Sequence, residues 1–338
     1  MKRMKNKSNP VRAKPVPVAV VLILVALSLL ACQTKEEISG ATPPKATATP
    51  TEPSSTATRP AEIIVEGPAE MPEVLPTIPL PGQKVLESEH FDFYVEDGYR
   101  PVDMERLART AEDIYAEVSA DMVDAMGAIV DAESPNDVIL SFQPPEERSC
   151  PARGMTLSAE PGPRVIIFAD EQTEEAQIQG VLAHELVHVI HSTGFDRPLG
   201  GDRNLTEGLA TWFSRDYWAT WHQTGSLEEM VRGYLAASEY VPLSEADVFS
   251  VHPLTQGANL SDCLDQRDIL YTQWASFVGY LGDTYGWEAF VELMASAISE
   301  VNDEGVISPN PTDYEGVYGK TLDDLEAEWL AQIQAYSR

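Results

Sequence analysis

Positive charge is scarce in this chain. Its 338 residues hold 23 Lys and Arg against 54 Asp and Glu, a formal net charge of −31 at pH 7. Such a surface repels nucleic-acid phosphates and anionic lipid headgroups, so a nucleic-acid partner is excluded and the charge reads as solubility. Histidine is nearly as scarce, at six, and cysteine stands at three. No apolar run reaches the roughly 20 residues that a membrane-spanning helix needs. No internal repeat is present. What remains is ordinary: a hydrophobic content of 43% is enough for a packed core, and the length suits one large domain or two small ones.

The N-terminus carries its own signals. The basic run MKRMKNKSNPVRAK precedes an apolar stretch from Val18 to Ala31, the layout of a secretory signal. That stretch ends Leu29-Leu30-Ala31-Cys32, which resembles a bacterial lipobox. The resemblance implies a signal peptide over 1–31, cleavage before Cys32 and lipid on its sulfur, hence an extracytoplasmic protein held to the membrane of a bacterial cell envelope by its N-terminal anchor. Cys150 and Cys263 then remain. In an exported chain they are expected to form a disulfide, with two free buried thiols as the alternative. Residues 32–84 are expected to be a disordered tether: ten of the 25 prolines fall between Pro43 and Pro81, among Ala, Thr and Ser. At about 3 Å per residue it could hold a domain up to roughly 150 Å from the membrane.

Globular sequence occupies 85–338. HFDFYV alternates, placing Phe91, Phe93 and Val95 on one face of a strand. Leu107, Ala111, Ile114, Val118 and Met122 recur at helical spacing, and Gly127 can end that helix. DVILSF and RVIIFA read as short strands. Beyond Asp170 the pattern predicts helices over 174–192, 204–217, 226–238, 266–282, 286–299 and 321–336. Strands early and helices late predict an α+β fold, a small N-terminal sheet packed on a mostly helical C-terminal part, and not a βαβ repeat.

One of those helices carries VLAHELVHVIHSTG, residues 181–194. At about 100° per residue, His184, His188 and His191 share one side, while Glu185 projects among Val181, Val189 and other apolar residues. A glutamate there is costly without a partner or a task. His184-Glu185-x-x-His188 places two imidazoles one helical turn apart, within reach of a single ion. Zinc accepts imidazole nitrogen and keeps an open position, and the adjacent carboxylate is placed to act as general base. Chance occurrence of HExxH in a chain with so few histidines is about one in a hundred.

A third ligand source is Glu207 in DRNLTEGLATWF, with eighteen residues between it and His188. The arrangement resembles the gluzincin metallopeptidases, in which a helix bearing HExxH is followed by one whose glutamate completes the zinc site. The resemblance implies a zincin-like fold, Zn2+ held by His184, His188 and Glu207, Glu185 as general base, and a peptide or protein substrate. Glu207 has a second reading compatible with the first: Asn204 as helix cap, with Glu207 closing a capping box. The metzincin pattern HExxHxxGxxH fails, because His191 and Gly194 occupy its glycine and third-histidine positions. His191 is expected to lie on the helix surface or to hydrogen-bond nearby, with a role as a fourth metal-binding histidine as the alternative.

In the aminopeptidase-type branch a tyrosine past the ligand glutamate steadies the oxyanion. Tyr271, 64 residues after Glu207, is the candidate. It is expected to open a helix; a core aromatic role is the alternative, with Tyr280 and Tyr285 as other donors. Gly154-Met155 resembles the place of the substrate strand, but Thr156 and Leu157 follow where that branch has its acidic anchor for a free amino terminus. Thr211 stands where thermolysin-like relatives carry an aspartate supporting a zinc histidine, so some other group is expected to do that. The sequence therefore predicts a zinc metallopeptidase, with a non-catalytic envelope binding or scaffold lipoprotein on a peptidase-like fold as the alternative.

Overall fold

The computed structural model describes residues 82–96, 103–127, 138–143, 152–157, 163–193, 202–248, 260–297, 300–301, 307–308 and 311–335. The expected signal peptide, almost all of the tether, Cys32 and Cys150 lie outside them. The described residues form a five-stranded mixed sheet and a mostly helical remainder, an α+β arrangement.

The sheet orders its strands β1 (Gln83–Glu87), β2 (Phe91–Val95), β3 (Val138–Gln143), β5 (Arg164–Phe168) and β4 (Gly154–Leu157). The two edges, β1 and β4, run antiparallel to their neighbours, while β2, β3 and β5 run parallel. The alternation in β2 is realised, with Phe91, Phe93 and Val95 buried. β5 is buried along its whole length, as an inner strand covered on both faces should be. β1 begins at Gln83, inside the stretch expected as tether. Gln83 and Lys84 join the sheet by pairing with Val95 and Tyr94, a backbone effect that composition does not signal.

The expectation excluded a βαβ repeat, yet one βαβ unit is present. Helix α1 (Met104–Met126) connects the parallel strands β2 and β3. Parallel neighbours cannot be joined by a tight turn, and α1 supplies the crossover. Asp103 caps it by accepting from Arg106 N at 3.2 Å. Gly127 ends it in the left-handed region, its N–H bonded to the Met122 and Val123 carbonyls, as its sequence position predicts.

The later helices are α2 (Glu175–Thr193), α3 (Arg203–Phe213), α4 (Arg215–Trp221), α5 (Leu227–Ala237), α6 (Leu260–Tyr285), α7 (Trp287–Ser296), α8 (Tyr314–Tyr318) and α9 (Leu322–Ala335). The single helix expected over 204–217 is two. Ser214 separates them, leaving helical geometry at φ −101° and ψ 13°, while its hydroxyl donates to the Ala210 carbonyl at 2.8 Å. α2, α3 and α6 pack closely around the core. Gly208 makes the α3–α6 approach possible, since a Cβ there would stand 2.8 Å from the Trp274 carbonyl oxygen. Cys263, buried on α6, is disulfide-bonded. Among the described residues no helix is long and apolar enough to cross a membrane.

Candidate metal centre

α2 buries almost its entire middle, from Gly180 to Val187. His184 and Glu185 are 7% and 6% exposed, so neither belongs to a solvated outer face. Two polar side chains sunk this deep need partners, and each has them.

His184 and His188 project one turn apart, and their Nε2 atoms lie 3.1 Å from each other. Glu207, from α3, places Oε2 at 3.0 Å from His184 Nε2 and 3.3 Å from His188 Nε2. The three side chains form a group able to hold a metal, with one ligand atom from each lying within 4.8 Å of the others. The carboxylate and the two rings are electrostatically coupled. Burial raises the Glu207 carboxyl, but His188 and His184 outweigh it and hold the group well below the usual carboxylate range. Burial lowers His188, but the Glu207 charge and hydrogen bond prevail and push it up to about 9.

The cap of α3 removes the capping-box reading of Glu207. Asp202, not Asn204, is the N-cap; its carboxylate accepts from Asn204 N at 3.0 Å and Leu205 N at 3.2 Å. The Asn204 side chain instead accepts from Val248 N at 3.0 Å. Glu207 therefore sits beyond the capping positions and closes no capping box. Both residue types cap helices, and the sequence offers them two places apart.

His191 is buried, not on the helix surface as one reading expected, and it stands outside the metal-capable group. Glu185 also stands outside it. Its Oε2 accepts from Thr156 Oγ1 at 2.8 Å, and a Cβ at Gly154 would lie 2.6 Å from its Oε1. The glycine of β4 thus leaves room for the carboxylate. Desolvation raises the Glu185 carboxyl, against the opposing pull of His184 and His188.

Thr211 corrects an expectation. Its hydroxyl lies 3.1 Å from His184 Nδ1, so the threonine itself supports the histidine. With Nδ1–H donating to Thr211, the Nε2 lone pair faces Glu207 and His188. Thr211→Val is expected to weaken metal binding about 10–100-fold while the protein stays folded, measured by competition with a chromophoric chelator. Thr211→Asp is expected to bind at least as tightly as wild type.

Tyr271 does not open a helix; it lies well inside α6. Its ring meets His184 edge-on, centroids 5.5 Å apart. Burial, the Glu207 charge and a hydrogen bond to that carboxylate keep its hydroxyl protonated, well above its ordinary range. Tyr280 and Tyr285 bond instead to Glu328, at 3.1 and 2.7 Å. Two neighbours carried no sequence signal. The Trp218 ring lies tilted 6.2 Å from both His184 and Tyr271, and Arg153 reaches α6 from just ahead of β4.

β4 is the sheet edge beside this centre. Phe168 N donates to Arg153 O at 2.9 Å, so the bonded pairing with β5 falls on Arg153 and every second residue after it. The backbone N–H and C=O of Gly154 and Thr156 consequently point away from β5. Among the described residues no strand pairs with them. No known family's model matches the chain, and no curated protein matches it.

Proposed function

We propose that this chain is a gluzincin-type zinc metallopeptidase with a zincin-like fold, carried on an N-terminal lipid anchor at the outer side of a bacterial membrane. The observation that carries the reading is the convergence of His184, His188 and Glu207, in HExxH-x18-E spacing, beside the buried carboxylate of Glu185. Two imidazoles and one carboxylate suit zinc with a position left open, whereas magnesium and calcium prefer all-oxygen sites. Zinc held there would supply a Lewis acid that acidifies water and polarises a carbonyl.

The protein's own residues account for the rest. An extended peptide can add to the β4 edge through the outward backbone groups of Gly154 and Thr156, which fixes the scissile bond relative to α2. In this reading Glu185 takes a proton from the attacking water and delivers it to the leaving amine. Its raised pKa brings it toward that task, and Thr156 fixes its orientation. Tyr271, protonated and adjacent to the ligand group, can donate to the oxyanion. The reading includes no anchor for a free amino terminus, because Thr156 is committed to Glu185. The anchor rests on the basic flank, the apolar run and Cys32.

The test is incubation with denatured proteins and unstructured peptides, with and without chelator. Cleavage that stops on chelation and returns with added zinc is expected. Fully zinc-loaded protein that cleaves nothing would overturn the reading in favour of a binding or scaffold lipoprotein.

A further inference from the structure

Arg153 stands immediately ahead of β4, and its guanidinium reaches α6. Nη2 lies 3.0 Å from Asp268 Oδ2, and Nη1 contacts Oδ1, a bidentate pair joining residues 115 apart in sequence. Both side chains are largely buried, 18% and 9% exposed. Arg153 is held from two further directions. Its carbonyl accepts from Phe168 N at 2.9 Å, and its guanidinium lies 4.7 Å over the Trp221 ring. Trp221 packs on Trp218 at 5.1 Å, and the Trp218 indole N–H donates to Thr272 Oγ1 at 3.0 Å.

Asp268 precedes Tyr271 by three residues on α6, so the two share a helix face. At its other end the pair grips the strand whose Gly154 and Thr156 abut Glu185. A buried ion pair is a weak stability device, because desolvation offsets most of its attraction. It is a strong geometric one: the planar fork sets both distance and orientation.

We propose that Arg153 and Asp268 are positioning residues that hold Tyr271 in register with strand β4, so that oxyanion donor, base and bound peptide keep a fixed spacing. This rests on the peptidase reading. It concerns residues outside the metal-capable group that act through Tyr271.

The test is steady-state kinetics on zinc-loaded full-length protein with a denatured-protein substrate that wild type cleaves. The variants are Arg153→Leu, Arg153→Lys, Asp268→Asn and Tyr271→Phe, with each of the first three also made in the Tyr271→Phe background. Arg153→Leu is expected to lower kcat about 10–100-fold, with KM little changed and zinc content unchanged. Arg153→Lys should recover part of the loss, since it restores the charge without the fork. In the Tyr271→Phe background the same substitutions should cost little more, because their effect runs through the missing hydroxyl. Should Arg153→Leu not fold, Arg153→Lys and Asp268→Asn carry the same comparison. Unchanged kcat, losses that multiply with Tyr271→Phe, or losses that track zinc content would each overturn the proposal while leaving the peptidase reading standing. Zinc-loaded wild type that cleaves nothing overturns both.

Discussion

Glu185→Gln should leave the metal in place and remove hydrolysis. The substitution changes little in shape. The glutamine carbonyl can still accept from Thr156 Oγ1, and the space opposite Gly154 is filled as before. Glutamine cannot, however, take a proton from water. General acid–base catalysis by a positioned side chain contributes about 10²–10⁴-fold, so kcat should fall by at least the lower figure. Glu185 lies outside the His184, His188 and Glu207 group, so zinc content should stay near that of wild type. Metal analysis and kinetics on one preparation read both quantities. A variant that loses zinc together with activity would show that Glu185 acts on the site's assembly, not on the proton.

Glu207→Ala should do the reverse and empty the site. The carboxylate is the only anion in the group, and its removal leaves two imidazole nitrogens 3.1 Å apart as the sole remaining ligands. Losing a direct ligand should cost more than the about 10–100-fold that accompanies loss of a ligand's hydrogen-bond support. α3 should persist, because Asp202 caps it and Glu207 takes no part in the cap. The metal-free variant is therefore expected to match metal-free wild type in helix content. Were Glu207 a capping residue, the outcome would be a helix weakened by about 1 kcal/mol with metal binding intact.

Part of this site was legible in the sequence for a geometric reason. His184 and His188 are four residues apart on a helix, and that spacing alone stacks them. Glu207 is on another helix, and only resemblance pointed to it; no periodicity links α2 to α3. The β2 alternation and the α1 stripe were readable because each element buries one face. Other features turn on choices between chemically similar options. Asp202 and Asn204 are both good caps, and nothing in the residue type at Ser214 marks it as the point where one helix gives way to the next. The βαβ unit escaped because helical and strand periodicities say nothing of strand direction. Thr211 escaped because an aspartate was the pattern expected there, although a hydroxyl at 3.1 Å can accept from the same ring nitrogen. Arg153 and Asp268 are 115 residues apart, and only the folded chain brings them together.

The most direct measurement is the metal content and coordination of purified wild-type protein, by elemental analysis with X-ray absorption at the zinc edge. The expected result is about one zinc per chain, bound by two imidazole nitrogens and one carboxylate at roughly 2.0–2.2 Å. Protein that takes up no zinc, or zinc whose shell lacks either histidine nitrogens or a carboxylate oxygen, would contradict it.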